Sequence, residues 1–407
     1  MRPSARQWGQ RLTSRLDVMV ERTPADRERY VDFLRVLSIA IVIIWHWSLS
    51  VIFWNGDRFL MPNPINQVPG GWLYTWVLQI VPVFFIVGGY ANYATWEGSR
   101  RRGEPWPVFL RHRLTRLLAP VLIFGVVWLA FELAIHAFVA DYTGVLTYAW
   151  IVFTPLWFLG AYAGVVALVP LTAALHERAK WATVACFAAL VVAADVGRFA
   201  LDVEVLGWFN TAMAWVLIHQ FGYFYRDGTL LRLDYYAGAA ALAAGAGVLA
   251  TITTVGPYPR SMVSTPGQEF SNILPTTVAI PAVGLLQLGI LLLARKRVAN
   301  WLEKVGAWRM VIAANAVVLT VFVWHMTALL VVLVLYRAIG GELLAFPSLA
   351  WWDQRWFWLI APVFVLAPFV AAFGRFETSG LLPSRGRVLP PTRRRRARRR
   401  PVRTPRP

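Results

Sequence analysis

One apolar run carries both an arginine and a histidine. It reads Asp32-Phe-Leu-Arg35-Val-Leu-Ser-Ile-Ala-Ile-Val-Ile-Ile-Trp-His46, which places Arg35 and His46 eleven residues apart. At about 100° per residue, eleven steps return to within roughly 20° of the same helix face, with a rise of about 16 Å. A single line along one helix thus joins a permanent cation to an imidazole that exchanges a proton near neutral pH, as a general base must. A plainer reading also fits: Arg35 extends to a polar boundary and His46 packs with a hydrogen bond.

A second group reads Arg111-His-Arg113-Leu-Thr-Arg116. Arg113 and Arg116 stand at i and i+3 and share a helix face. Guanidinium groups bind phosphate through two parallel hydrogen bonds, so the pair could clamp a phosphate; anchoring at an interface would explain it equally well. A third is Val323-Trp324-His325-Met326. Glu132 with His136 is a further acid–base pair, one helical turn apart. His219, beside Gln220, and His136 are expected to be mainly structural, and His112 and His176 to sit in interfacial loops. No pair has metal-ligand spacing, so no metal is expected. The single cysteine, Cys186, cannot close an intrachain disulfide.

These residues must be held by elements that tolerate an unusual composition. The chain has 407 residues, 58% of them hydrophobic and only 15% charged, yet its formal net charge is +19. Soluble domains are about 45–50% apolar. An apolar chain with scarce, one-signed charge is a polytopic membrane protein, and the fold class expected is all-α. Ten stretches are long enough to span: 33–54, 72–96, 114–138, 148–175, 181–197, 205–225, 235–255, 275–294, 310–336 and 351–373. Measured from the start of its own span, His46 lies about 20 Å along the helix and His325 about 22 Å. Two histidines at one depth could meet in one cavity.

Basic residues set the sidedness. Of the 40, 34 fall before the first span, in the even-numbered connections or after the last span, and five fall in the odd-numbered connections. This asymmetry predicts that both termini are cytoplasmic, in agreement with an even number of spans. The expected organisation is a basic cytoplasmic segment over 1–32, a membrane core over 33–375 and a disordered Arg/Pro-rich tail over 376–407. The N-terminal segment lacks a secretory cleavage site. The tail, with Arg393–Arg396 and Arg398–Arg400, suits topology and attraction to anionic lipid of the bilayer. No aromatic residues interleave the run, so nucleic acid is not an expected partner. Only three of the basic residues are lysine. That bias, with abundant Ala and Trp, points to a GC-rich bacterial genome and hence to the bacterial inner membrane.

In order and sidedness, the motifs resemble those of the integral-membrane family 3 acyltransferases, which O-acylate surface polysaccharides, glycolipids and some secondary metabolites. The resemblance rests on Arg35-x10-His46 after Asp32-Phe-Leu, on Arg113-x-x-Arg116, on Val323-Trp324-His325 and on Pro155-Leu-Trp157-Phe-Leu, and it covers roughly residues 28–375. It implies a co-substrate, acyl-CoA with acetyl-CoA favoured, whose phosphates meet Arg113 and Arg116 with help from Arg35 or Arg111. It implies that His46 acts as general base or briefly carries the acyl group, with His325 assisting. The acceptor implied is a carbohydrate or glycolipid hydroxyl. The positions after Arg35 lack the family's frequent glycine, and no further domain follows the spans, so a stand-alone enzyme is expected. The competing readings are a proton-coupled transporter or exporter using His46 and His325, disfavoured by the lack of a visible repeat, and a membrane scaffold that recruits partners through its tail.

Overall fold

The computed structural model describes residues 17–21, 23–24, 27–49, 53–54, 59–139, 144, 149–266, 268–344 and 346–378. The expected tail beyond residue 378 and the first sixteen residues lie outside them. The described chain is all-α apart from a two-residue antiparallel pair, β1 (Phe53–Trp54) with β2 (Phe59–Leu60). The helices are α1 (Arg29–Ser48), α2 (Trp72–Leu78), α3 (Val81–Arg101), α4 (Trp106–Phe138), α5 (Leu156–Ala167), α6 (Val169–Ala200) and α7 (Val205–Arg226). They continue with α8 (Thr229–Thr254), α9 (Ala279–Leu302), α10 (Val305–Asn315), α11 (Val318–Ala338), α12 (Leu349–Asp353) and α13 (Arg355–Thr378).

Among the described residues nine helical stretches are long and apolar enough to cross a membrane. The tenth expected span is α7, a helix of 22 residues that the apolarity criterion leaves out. Asn210, His219 and Gln220 lower its hydropathy, yet every residue from Ala214 to Tyr225 is buried. A helix buried all round needs neighbours for its polar groups rather than a lipid-facing stripe. It lies against α3 so closely that Gly89 and Gly222 meet the opposing backbone, where a Cβ on either would collide with a main-chain carbonyl. Small residues allow this kind of close helix contact in membranes. By contrast α4 exposes Leu122, Val126, Leu129 and Leu133 along one stripe and buries Leu117, Phe124 and Trp128 on another, as a lipid-facing helix should.

Two long helices are divided by residues with positive φ. α6 breaks at Lys180 (φ 32°) and α8 at Asp234 (φ 47°), at the polar connections from which spans were expected to restart. The first half of α6 continues α5 past Pro170, and together they form the long, bent fourth span.

One expected boundary is corrected. The stretch 310–336 is not one helix: α10 ends at Asn315 and α11 begins at Val318. Asn315 turns its Nδ2 onto the main-chain oxygen of Asp32, at 3.0 Å, and Val317 leaves helical geometry with φ −132° and ψ 13°. His325 therefore stands about 11 Å above the start of its own helix, not 22 Å.

Candidate active site

Despite that shift, His46 and His325 meet. His46 Nδ1 lies 3.0 Å from His325 Nε2, with the rings stacked at 5.2 Å between centroids. Each is fixed by its surroundings. Trp47 donates Nε1–H to the main-chain oxygen of His325 at 3.1 Å. Arg355 donates Nη1–H to the oxygen of Ser48 at 3.3 Å, a cation at the C-terminal end of α1, where the helix dipole favours it. Trp324 stacks on both Phe369 and Phe373 of α13, at 4.6 and 4.7 Å between centroids. His325 itself is fully buried.

The hydrogen bonds determine the protonation pattern. His325 Nδ1 faces the main-chain oxygen of Phe322. A carbonyl only accepts, so His325 Nδ1 must carry the proton, and in the neutral ring Nε2 is then the acceptor. His46 must donate from Nδ1, which leaves the lone pair of neutral His46 on Nε2. The pair presents one imidazole as a base and uses the other to fix its tautomer.

His46 lines a cavity of about 240 Å³. Along α1 the cavity follows the face Ser38, Ile39, Val42 and His46, a descent of about 12 Å from His46 to Ser38. Asn63, Gln79 and Ser264 line it too; Gln79 follows α2, and Asn63 and Ser264 lie in connections between helices. Trp45, Trp157 and Phe158 supply aromatic walls. The break between α2 and α3 that admits Gln79 is closed by Gln287, whose Nε2 reaches the main-chain oxygens of Trp76, Val77 and Gln79 at 3.2, 3.1 and 2.9 Å.

Arg35 lies one turn below Ser38. Its guanidinium meets Asp32 at 3.3 Å and Asn315 at 3.5 Å, and Asp32 also pairs with Arg27 at 2.6 Å. Arg113 and Arg116 share a helix face but diverge. Arg113 Nη2 turns inward to Asn92 Oδ1. Asn92 Nδ2 lies 3.1 Å from both the Tyr162 hydroxyl and His219 Nε2. His219 thus packs with a hydrogen bond, and it supports the arginine through Asn92. Arg116 is exposed and has Arg35, Arg113, Arg27 and Glu377 within Coulombic range. An exposed cation among other cations is suited to receive an anion.

Asn92, Tyr162 and Glu377 were not singled out from the sequence. Asn92 is a fully buried amide in an apolar span, and that polarity was the available signal; nothing in the sequence marks Glu377 as paired with α11. The expected acid–base pair is formed, with His136 Nε2 3.2 Å from Glu132 Oε1 on the exposed side of α4. His112 is exposed but lies in α4, not in the expected loop. His176 likewise lies in a helix rather than a loop: it is buried in α6, and its Nε2 lies 3.4 Å from Asp227 among Tyr93, Tyr223 and Phe224. Among the described residues no three of His, Cys, Asp and Glu converge as a metal site.

A multi-helix membrane protein with a histidine at the wall of a cavity, and Arg35 one turn beyond the cavity's Ser38 on the same helix, has parts suited to transferring a group from an anionic donor. The family model of an acyltransferase domain, Acyl_transf_3, matches residues 28–374, and the chain belongs to this family of acyl-transferring membrane enzymes. No curated protein and no solved structure matches it.

Proposed function

We propose that this enzyme moves an acyl group from cytoplasmic acyl-CoA, with acetyl-CoA as donor, to a hydroxyl of a carbohydrate or glycolipid in the bacterial inner membrane. The observation that carries this reading is the His46–His325 pair, set on a cavity whose lower end lies one turn above Arg35. The donor's phosphates meet Arg116, backed by Arg113 and Arg35, and its pantetheine arm rises past Ser38. Aromatic walls beside amide and hydroxyl groups suit a hydroxylated ring as acceptor.

In the reaction His46 Nε2 takes the proton from the acceptor hydroxyl as that oxygen attacks the thioester carbonyl. The carbonyl–sulfur bond breaks, the ester forms, and the departing thiolate takes the proton back from His46. While His46 is an imidazolium, its Nδ1–H donates to His325 Nε2.

The test is transfer of radiolabel from acetyl-CoA into alkali-labile ester by the purified enzyme, reconstituted with lipid extract of its host. No label in any product overturns the reading. Arg116→Ala is expected to raise KM for acetyl-CoA about tenfold, since a hydrogen bond to a charged group contributes about 1.5–3 kcal/mol, with kcat largely kept. An unchanged KM rules out a phosphate contact there. A reporter fused to the C-terminus should read cytoplasmic, following the charge asymmetry; a periplasmic signal removes the proposed sidedness.

A further inference from the structure

Glu377, in the last turn of α13, is engaged on both oxygens. Oε1 accepts from the amide of Leu319 at 3.0 Å, and Oε2 accepts from the amide and hydroxyl of Thr320, both at 2.8 Å. These amides are the open donors at the N-terminus of α11. An anion there is favoured by the helix dipole, and α13 supplies one from 57 residues away in the chain. Thr320 is followed within about one and a half turns by His325. The same face of α13 carries Phe369 and Phe373 at i−8 and i−4, which hold Trp324. The other end of that face is electrostatic, since Glu377 lies within Coulombic range of Arg116.

We propose that Glu377 is a positioning residue that couples the donor's phosphate site to the histidine pair; the inference rests on the acyl-CoA reading above. Its carboxylate anchors the helix that presents His325 Nε2 to His46. Its charge also offsets that of Arg116, and so weakens the attraction of an anionic donor. The two effects act on different kinetic constants and carry opposite signs. Glu377→Gln removes the charge and sets an amide NH2 against a helix N–H. It is expected to lower kcat about tenfold and, at the same time, to lower KM for acetyl-CoA about threefold. A role confined to folding would reduce the amount of active enzyme and leave KM where it was.

Two further variants separate the parts. Glu377→Asp keeps the charge on a shorter stem; its KM should stay within twofold of wild type while kcat falls. Thr320→Ala removes one of the three hydrogen bonds but no charge, so kcat should fall a few-fold at unchanged KM. Steady-state kinetics with acetyl-CoA in proteoliposomes read all three. The coupling is overturned if Glu377→Gln leaves KM unchanged or raises it. Should that variant not accumulate, a shift in KM in Glu377→Asp or Thr320→Ala overturns it instead. Wild-type enzyme that transfers nothing from acetyl-CoA sinks the functional reading itself, a result visible before any variant is compared.

Discussion

Alanine in place of His46 is expected to lower acetyl transfer by about 10²- to 10⁴-fold, the range that positioned acid–base groups contribute. The loss should fall on kcat. The proposed phosphate contacts, Arg116 and Arg35, do not line the cavity wall that carries His46, so KM for acetyl-CoA should be nearly unchanged. The fold should survive. His46 is half-buried at the cavity wall, and the last turn of α1 keeps its contacts from Trp47 and Arg355. The measurement is the initial rate at saturating acetyl-CoA, normalised to folded protein. More than a tenth of wild-type activity remaining would mean that another group takes the proton. If His46 carried the acyl group instead of a proton, wild-type enzyme quenched with acid during turnover would hold hydroxylamine-labile label, and the base reading predicts none.

How far the sequence reveals this site depends on where the determinants lie. The Arg35–His46 line is a property of one helix, so spacing alone recovers it. The spans begin and end at local signals, and the breaks at Lys180 and Asp234 lie in polar connections that hydropathy detects. Equal heights along the two spans predict the meeting of His46 with His325, yet those heights are unequal: from the observed helix starts His46 lies about 26 Å up and His325 about 11 Å, so the two helices begin at different levels. α1 starts four residues earlier than expected, at Arg29, and α11 eight residues later than the stretch's first residue, at Val318. The level at which the rings meet is fixed laterally, by Trp47 on the oxygen of His325 and by α13 behind Trp324.

The features that escaped are all tertiary. The break before α11 runs through Ala-Asn-Ala-Val with no glycine or proline to announce it. It exists because Asn315 bonds the main chain of α1 and Glu377 caps the amides that follow. Arg113 and Arg116 look equivalent by spacing, and they differ only because Asn92, on α3, offers an acceptor to one of them. α7 is less apolar than the other spans because it carries Asn210, His219 and Gln220, whose nitrogens find partners on α3 and α6 inside the bundle. Hydropathy describes what a helix shows to lipid and misses what it shares with another helix.

The substitution with the next largest expected effect is at His325, where the choice of side chain isolates one function. If His325 serves by accepting a proton bond at Nε2, a residue that places an acceptor at that point should replace it. Glutamine does so, because its Oε1 extends about as far from Cβ as imidazole Nε2. His325→Gln should therefore keep His46 donating from Nδ1 and stay within about tenfold of wild type. His325→Ala leaves the Nδ1 proton of His46 without its acceptor, so the neutral ring is free to adopt the tautomer that places the proton on Nε2. The imidazolium formed during transfer also loses its partner. A loss of about 10²-fold or more in kcat is expected, with KM for acetyl-CoA little changed, because a misplaced tautomer disables a base without touching the donor site. The glutamine variant also controls for the gap that alanine leaves in the core. Equal loss in both variants would show that packing around Trp324 and Phe322, rather than the acceptor atom, is what His325 provides. Full activity in both would remove His325 from the mechanism and leave His46 to find its tautomer unaided.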